Sequence, residues 1–373
     1  MALDDVRWMR LALSLGARGA GRVWPNPAVG CVIVRHGRVL GRGWTAPGGR
    51  PHAEPQALKQ AGDAAVGATA YVSLEPCAHW GRTPPCADAL VRASVARVVI
   101  GLSDPDPRVD GGGIDRLRAG GVAVTGPVLE AEARRAHRGF LSRILKGRPT
   151  LTLKLASSFD GRIATATGQS QWITGPQARR AVHAMRLRHD AVMVGAGTAR
   201  ADDPMLTVRG LGAVPQPLRV VLSRHLDLPR DSALARSARA VPLWILCGAG
   251  ADPDLRAAWE GVGARCLTVE TGPGGQLDPK AALDTLGREG LTSVFCEGGG
   301  ALAASLLAAD LVDDLVGFTA GMVIGAEGQP GLGAMGLADL EEAPRFRLTA
   351  TRPVGSDVLH EWTRADESTL RLI

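Results

Sequence analysis

The amino-acid sequence predicts an α/β fold built as two domains. Segments with helical and strand-like apolar spacing alternate along the chain, which favours sheets covered by helices. Residues 146–149, which read K-G-R-P, separate two such series and are the best candidate for a linker. We therefore predict one domain over residues 1–146 and a second over residues 147–373.

The first series starts with a helix over residues 4–19, because Val6, Met9 and Leu13 recur at helical spacing. Gly19 and Gly21 are typical of its end. Strands are predicted over residues 31–34, 38–44, 68–74, 95–101 and 122–125, and further helices over residues 52–61, 84–93, 114–119 and 130–145. This order predicts one mixed sheet with helices on both faces.

The second series starts with a strand over residues 150–156. Thr174 and Pro176 are typical of the start of a helix, which is predicted to run to about Arg188. Strands are predicted over residues 191–194, 219–222, 243–247, 264–269, 293–296, 312–319 and 358–362. After the strand at 293–296 comes E-G-G-G-A-L-A-A-S-L-L, a strand–glycine–helix junction whose backbone N–H groups can receive phosphates. It does not match G-x-G-x-x-G, so a Rossmann fingerprint is not supported.

Composition narrows the class of protein. The 373 residues are 45% hydrophobic but only 4% aromatic, which argues against a surface built to stack nucleic-acid bases. A net charge of +6 suits phosphorylated substrates, and it fits equally well with a GC-rich genome that uses Arg for Lys. Six scattered cysteines suggest no disulfide framework, and no signal peptide or membrane span is expected. These features predict a cytoplasmic protein.

The stretch from His52 to Cys86 carries the strongest chemical signal. One imidazole and the thiols of Cys77 and Cys86 supply three ligands, and a catalytic zinc site needs three with a fourth position open. Zinc deaminases add a glutamate that is not a ligand, and Glu54 could take the proton of a water that the metal activates. The usual signature has two residues between the cysteines, so residues 78–85 are interpreted as an inserted loop.

Two alternatives to a catalytic metal site remain open at this stage. In one, His52 is a surface residue and the two cysteines are buried without a metal. In the other, His79 is a fourth ligand and the site is a closed structural zinc.

The chain also resembles, from end to end, the bifunctional deaminase/reductase family of riboflavin biosynthesis. The shared motifs are P-N-P-A-V-G-C-V-I-V, P-H-A-E, L-E-P-C-A-H-W-G-R-T-P-P-C, D-P-D-P, L-K-L-A-S-S-F-D-G-R, S-Q-W-I-T, Q-A-R-R, A-D-D-P-x-L-T-V-R and the E-G-G-G junction. The resemblance implies a cytidine-deaminase-like α/β/α sandwich followed by a dihydrofolate-reductase-like α/β domain. The implied reactions are zinc-dependent deamination of 2,5-diamino-6-ribosylamino-4(3H)-pyrimidinone 5′-phosphate and then NADPH-dependent reduction of the ribosyl group to ribityl.

The resemblance also implies the site residues. His52, Cys77 and Cys86 would bind zinc, and Glu54 would shuttle protons. The implied NADP contacts are Ala156, Trp172, Thr198, Asp202, Ser223, Gly299, Gly300, Ala301, Leu302, Ala303, Ala304 and Ser305. The implied substrate contacts are Ser170, Arg186, Leu206, Arg209 and Glu297. The chain departs from the family pattern at Pro55-Gln56 and at Ala28, which could alter substrate contacts.

Some roles in the second domain follow from residue chemistry. Arg186 and Arg209 could clamp the 5′-phosphate, because guanidinium groups match its oxygens, and Glu297 could bind sugar hydroxyls. Each of these could instead be a solvated side chain at a helix or strand end. We find no feature that identifies a pocket for the cofactor's 2′-phosphate.

Two rival functions remain: a nucleic-acid base deaminase, and a zinc-binding module without activity. The expected partner is a small pyrimidine ribose phosphate, with no nucleic acid or membrane, and a homo-oligomer is possible.

Overall fold

The computed structural model describes residues 3–81 and 84–365. It divides into two compact units, an N-terminal unit, Met1–Gly147, and a C-terminal unit, Arg148–Ile373. None of the helices in these described ranges has the length and apolar character needed to cross a membrane.

The N-terminal unit alternates helices and strands. Its elements are α1 (Leu3–Gly16), β1 (Gly30–Arg35), β2 (Arg38–Trp44), α2 (Ala53–Ala61), β3 (Thr69–Val72), α3 (Cys86–Arg92), β4 (Arg97–Ile100), α4 (Gly112–Ala119), β5 (Ala123–Thr125) and α5 (Glu130–Lys146). The strands form one sheet in the order β2-β1-β3-β4-β5. Strand β1 is antiparallel to both of its neighbours, while β3, β4 and β5 are parallel. The predicted mixed sheet is confirmed.

Both faces of this sheet are buried. Cys31 and Ile33 of β1 pack with alanines of α2 and with Leu90 of α3. Val32 and Val34 point to the other face and pack with α1. The period of two along β1 therefore places helices on opposite sides of the sheet.

Two glycines of β2 set the position of α2. A Cβ added at Gly41 would lie 2.0 Å from the carbonyl oxygen of Ala57, and one added at Gly43 would lie 2.1 Å from that of Ala53. Only glycine allows so close an approach of helix to strand. The start of α2, which carries the candidate catalytic residues, is fixed against the sheet by these two contacts.

The C-terminal unit contains the larger sheet. Its elements are β6 (Thr150–Ser158), β7 (Arg162–Ala164), α6 (Pro176–Arg186), β8 (Ala191–Gly195), α7 (Ala196–Asp202), β9 (Leu218–Leu222), α8 (Ala233–Arg236), β10 (Leu243–Cys247), α9 (Pro253–Gly261), β11 (Arg265–Thr268), α10 (Pro279–Arg288), β12 (Ser293–Cys296), α11 (Gly300–Ala308), β13 (Asp314–Ala320), β14 (Gln329–Pro330), β15 (Phe346–Val354) and β16 (Asp357–Arg364).

Nine of these strands form one sheet in the order β11-β10-β9-β8-β12-β6-β13-β16-β15, and β7 pairs with β14 in a two-stranded ribbon. The seven strands from β11 to β13 are parallel, and β16 is antiparallel to both β13 and β15. The carboxyl ends of the parallel strands meet at one edge, where open α/β sheets bind ligands.

Strand β15 was not among the predicted strands. It lies at the edge of the sheet, and all but its first and last residues are exposed. A strand that buries neither face needs no apolar alternation, so the pattern that identifies half-buried strands is missing from its sequence.

Candidate active sites

Three candidate metal ligands of the N-terminal unit converge. The Nδ1 atom of His52 lies 3.7 Å from Sγ of Cys77 and 3.3 Å from Sγ of Cys86. All three ligand atoms lie within 4.8 Å of one another. His52 is the residue just before α2 and Cys86 is the first residue of α3, so the ends of two helices bring the ligands together.

The geometry of this cluster fits zinc. Zinc lies about 2.3 Å from a thiolate sulfur and about 2.0 Å from an imidazole nitrogen, so a tetrahedral site separates sulfur and nitrogen by about 3.6 Å. The two observed separations lie on either side of that value. The donor set is also the one expected, since thiolate and imidazole together favour zinc over harder cations.

The sulfur of Cys77 is prepared to act as a ligand. The backbone N–H of Cys86 donates to it over 3.3 Å. Hydrogen bonding from the Cys86 side chain, and then from His52, lowers the pKa of Cys77 to about 4. The thiolate is the form that binds metals.

Glu54 lies beside the cluster, within the first turn of α2, and is only 3% exposed. Burial raises the pKa of its carboxyl group, and the nearby His52 partly opposes that shift. A raised pKa makes the carboxyl better able to hold a proton, and general acid–base catalysis requires a group that can both take up and release one.

Gln56, which belongs to the departure from the family pattern at Pro55-Gln56, has a structural role beside the cluster. Its amide nitrogen donates to the carbonyl oxygens of Pro51 (3.2 Å) and His52 (3.0 Å), and also to that of Trp44. The side chain therefore holds the backbone that carries the imidazole ligand, and its amide faces the protein rather than a substrate.

Glu75 anchors the chain on the other side of the cluster, two residues before Cys77. Its buried carboxylate accepts hydrogen bonds from the backbone N–H groups of Asp104 (3.1 Å), Gly113 (3.0 Å) and Ile114 (3.1 Å). The last two lie in the first turn of α4, where the helix dipole favours a carboxylate. This contact ties the D-P-D-P motif to the loop that carries Cys77.

His79 does not join the cluster, although sequence reasoning allowed it as a fourth ligand. Among the described residues, the metal-ligating group consists of His52, Cys77 and Cys86 alone. The candidate site therefore offers three protein ligands, which is the number typical of a catalytic zinc rather than a structural one.

The second candidate site is a cavity of about 1310 Å³ in the C-terminal unit. It lies where β6, β8, β9 and β12 end, at the edge predicted for ligands. The predicted residues that line it are Ala156, Ser170, Trp172, Arg186, Thr198, Asp202, Leu206, Arg209, Glu297, Gly299, Gly300, Ala301, Leu302 and Ser305. Three predicted residues, Ser223, Ala303 and Ala304, are buried and lie outside the lining.

The glycine junction fits a dinucleotide phosphate. Helices α7 and α11 both begin at the cavity, so their N-terminal N–H groups face it. The hydroxyl of Thr198 accepts from the N–H of Gly299 over 3.0 Å and holds the two helix starts together. A Cβ at Gly299 would lie 3.2 Å from that hydroxyl, which explains the small residue there.

Arg186 and Glu297 form a two-point ion pair in the cavity. Nε of Arg186 lies 2.5 Å from Oε1 of Glu297, and Nη2 lies 3.1 Å from Oε2. Nη1 of Arg186 donates to the carbonyl oxygen of Thr207 over 2.8 Å. Much of the guanidinium is thus engaged within the protein, and the role predicted for Arg186 as a phosphate clamp gains no support from these contacts.

Lys154 is a cavity residue that sequence reasoning missed. Its ammonium lies 3.9 Å from Oε2 of Glu297. Burial lowers the pKa of Lys154, while Glu297 opposes that shift. Although burial alone would raise the pKa of Glu297, the charges of Arg186 and Lys154 lower it. The one available signal was the position of Lys154 in L-K-L-A, where a charge interrupts an apolar strand.

Trp172 and Arg179 form part of the cavity wall. Trp172 is 62% exposed, and the guanidinium carbon of Arg179 lies 4.3 Å from the centre of its ring. An exposed indole face at the mouth of a cavity can pack against a flat ring of a ligand.

Comparisons with known proteins match both units. The cytidine and deoxycytidylate deaminase zinc-binding region matches residues 3–102, and the RibD C-terminal domain matches residues 149–360. The riboflavin biosynthesis protein RibD of Escherichia coli K12 is 40% identical over 366 residues, covering 95% of this chain and 98% of that protein. RibD of Aquifex aeolicus is 38% identical over 355 residues, covering 95% and 97%.

Solved structures agree over the whole length. Acinetobacter baumannii RibD superposes with a TM-score of 0.87 at 36% identity, covering 97% of this chain and 99% of that one. A Thermotoga maritima protein superposes with a TM-score of 0.84 at 32% identity, with the same coverage. That protein is described as a diaminohydroxyphosphoribosylaminopyrimidine deaminase/5-amino-6-(5-phosphoribosylamino)uracil reductase. The predicted order of a deaminase-like domain followed by a reductase domain is confirmed.

Proposed function

The chain belongs to the RibD family of riboflavin biosynthesis proteins, and from this premise we propose how its two reactions are divided between its two units. The N-terminal unit deaminates 2,5-diamino-6-ribosylamino-4(3H)-pyrimidinone 5′-phosphate with zinc. The C-terminal unit uses NADPH to reduce the ribosyl group of 5-amino-6-(5-phosphoribosylamino)uracil to ribityl. The observation that carries the proposal is the convergence of His52, Cys77 and Cys86 beside the buried Glu54.

In the deaminase unit, His52, Cys77 and Cys86 hold the zinc. Bound there, zinc lowers the pKa of water toward about 7 and so makes a nucleophile available at neutral pH. Glu54 moves the two protons of the attacking water in turn: the first passes through its carboxylate to the pyrimidine nitrogen, and the second to the amino group, which then leaves as ammonia. Its burial beside the ligands keeps bulk water from competing for those protons.

In the reductase unit, the cofactor supplies the hydride and the protein supplies position and charge. Glu297 accepts hydrogen bonds from the sugar hydroxyls, and Arg186 fixes its orientation from two points. The lowered pKa of Lys154 suits it to donate a proton to the sugar oxygen as the ring opens. Arg209, which lines the cavity and is exposed, is available to the 5′-phosphate.

The remaining site residues belong to the same proposal. Thr198 and the N-terminus of α11 receive the cofactor pyrophosphate, and Trp172 packs against a ring in the cavity mouth. Ser170 and Leu206 border the substrate end. Ser223, Ala303 and Ala304 act from behind the cavity wall, since they are buried outside its lining.

We further propose that the protein works in the cytoplasm as a homo-oligomer. All six cysteines are free, as expected in a reducing compartment. The exposed edge strand β15 offers a surface that a second copy could cover. Size-exclusion chromatography with light scattering would test the assembly, and a mass equal to one chain at every concentration would contradict it.

A direct experiment tests both reactions. The purified protein is incubated with the diaminopyrimidine phosphate, with and without NADPH, and the products are weighed by mass spectrometry. Without NADPH we expect an amino group to be replaced by oxygen, and with NADPH we expect the further addition of a hydride and a proton. Unchanged substrate in both samples, with zinc present, would overturn the proposal and favour a binding module. Deamination of a single-stranded nucleic acid instead would favour a base deaminase.

A further inference from the structure

Part of the wall of the C-terminal cavity belongs to a segment that lies over the start of α11. We call this segment, residues 322–333, the covering segment. Its residues Gln329 and Gly331 line the cavity. The N–H of Gly333 donates to the carbonyl oxygen of Gly300, the first residue of α11, over 2.9 Å. The covering segment therefore borders the place where we propose that the cofactor pyrophosphate binds.

The covering segment and α11 meet through their backbones. A Cβ added at Gly300 would lie 3.1 Å from the backbone nitrogen of Gly333 and 3.2 Å from the carbonyl oxygen of Pro330. A Cβ added at Gly333 would lie 3.2 Å from the carbonyl oxygen of Gly300. Glycine at both places allows this close approach. A shift of the covering segment would therefore change the surroundings of the first N–H groups of α11.

Asp160, which belongs to the S-S-F-D-G-R motif, holds the covering segment at its other end. Oδ2 of Asp160 accepts from the N–H of Gly325 over 2.7 Å. The N–H of Ile324 lies 3.2 Å from Oδ1 and 3.3 Å from Oδ2. Oδ1 also accepts from the hydroxyl of Ser158, the last residue of β6, over 2.6 Å. Because β6 lies within the nine-stranded sheet, the carboxylate joins the covering segment to a rigid support.

The charge of Asp160 strengthens this connection. Hydrogen bonds from the hydroxyl of Ser158 and from the N–H of Gly325 lower the pKa of Asp160 to about 2. The carboxylate is therefore ionised at neutral pH, and hydrogen bonds to an ionised acceptor are stronger than those between neutral groups. A neutral backbone contact lies nearby, in which the N–H of Gly331 donates to the carbonyl oxygen of Gly161 over 3.0 Å.

We propose that Asp160 is a positioning residue for the cofactor: it holds the covering segment over the start of α11 before NADPH binds, and so preforms the wall of the pyrophosphate site. A wall that is already ordered loses less conformational entropy on binding, and the affinity for the ligand is higher as a result. Asp160 does not itself line the cavity, so it acts through the covering segment. This inference rests on the proposed reductase function.

The test measures NADPH affinity and hydrogen exchange in the full-length protein. Asp160→Ala removes the carboxylate, and we expect the Kd for NADPH, measured by isothermal titration calorimetry, to rise at least tenfold. Amide hydrogen exchange of residues 322–333, measured by mass spectrometry without NADPH, should become at least tenfold faster and should slow again when NADPH is added. Asp160→Asn keeps one oxygen as an acceptor and should act in the same direction with a smaller effect.

Steady-state kinetics separate positioning from a general loss of folding. Bound cofactor orders the covering segment again, so in Asp160→Ala the KM for NADPH should rise at least fivefold while kcat at saturating NADPH falls less than twofold. A substitution that only reduced the folded fraction of the protein would lower kcat and leave KM unchanged. That second result would overturn the proposal.

Asp252→Asn is the matched control for Asp160→Asn. Oδ1 of Asp252 also accepts from a backbone N–H of the C-terminal unit, that of Asp254, over 2.8 Å. Neither Asp252 nor Asp254 lines the cavity. The control substitution removes the same charge from the protein, and it should leave both the NADPH affinity and the hydrogen exchange of residues 322–333 unchanged.

The outcomes separate this inference from the function on which it rests. If the unsubstituted protein binds NADPH and both Asp160 variants bind it equally well, the role of Asp160 is wrong while the reductase function stands. If the unsubstituted protein does not bind NADPH, the reductase function and the role of Asp160 are both overturned. Weaker NADPH binding together with faster exchange of the covering segment in Asp160→Ala, with neither change in Asp252→Asn, supports the role.

Discussion

Nε of Arg186 lies 2.5 Å from Oε1 of Glu297, although 111 residues separate the two along the chain. Both side chains are nearly buried, with 12% and 10% of their surfaces exposed. From its side-chain chemistry alone, Arg186 was predicted to bind a phosphate. The ion pair instead makes it a residue that positions the Glu297 carboxylate. It also places the charge of Glu297 beside Lys154, in the cavity that we propose as the site of reduction.

Removing the charge of Glu297 should therefore damage both reduction and stability. In Glu297→Gln, Arg186 and Lys154 lose their shared partner, and breaking a buried pair costs roughly 3–5 kcal/mol. We expect NADPH oxidation to fall at least tenfold, deamination to persist, and the melting temperature to drop. These are measured by absorbance, ammonia release and calorimetry on the same sample.

Glu289→Gln is the control for that prediction. Glu289 also meets an arginine at two points, with Arg265 nitrogens at 2.7 and 2.8 Å, but that pair is more exposed. A solvent-exposed pair contributes about 1 kcal/mol or less, so this variant should melt close to the unsubstituted protein and keep full activity. Equal effects of the two substitutions would contradict the role given to Glu297.

Much of the fold was predictable because it depends on local pattern. The convergence of His52, Cys77 and Cys86 was predictable for a similar reason, since the three lie within residues 52–86 and each adjoins a recognisable helix or strand. The pair of Arg186 with Glu297 was not, because it requires the relative position of a helix and a strand end more than 100 residues apart. The apolar pattern of a sequence predicts which side of a helix or strand is buried, but it does not predict which other element lies against that side.

The run from Gly299 to Ser305 shows a second limit. All seven residues were assigned to the cofactor, but a helix with 3.6 residues per turn can present only some of them to one cavity. Ala303 and Ala304 instead face the core, where 0% and 4% of their surfaces are exposed. Assigning every residue of such a run to the cofactor therefore locates the binding region, but it does not identify which residues contact the cofactor.

Gly43→Ala should disturb the zinc site from a distance. A Cβ there would lie 2.1 Å from the carbonyl oxygen of Ala53, one residue after the ligand His52, so α2 must move. We expect less than half of the normal zinc content by mass spectrometry and a matching loss of deamination. Gly261→Ala is the control, because a Cβ there meets no atom within 4 Å, and it should keep both its zinc content and its deamination. A Gly43→Ala protein with its full zinc content would show that the packing of α2 against Gly43 does not affect the zinc site.

The stability of the protein should depend on Asp104 between pH 4 and 7. Burial raises the pKa of this carboxyl from 3.8 to about 7, so the folded state binds its proton more tightly than the unfolded state. The protonated carboxyl therefore contributes to the free energy of unfolding. This stabilisation is fully present below pH 4, is lost as the pH rises through 7, and amounts to roughly 4 kcal/mol at most.

Asp104→Asn should abolish this dependence, because an amide does not titrate in the range. Urea unfolding at pH 5 and pH 8 provides the comparison. Between these two conditions the unsubstituted protein should lose more stability than the variant, and parallel changes in the two proteins would show that Asp104 does not titrate as inferred.

The most direct test of the account compares Glu54→Gln with the unsubstituted protein for zinc content and ammonia release. His52, Cys77 and Cys86 remain in the variant, so we predict one zinc per chain in both proteins and a loss of deamination of about 10²–10⁴-fold in the variant. Unimpaired ammonia release by zinc-replete Glu54→Gln, or ammonia release by unsubstituted protein that holds no metal, would contradict it.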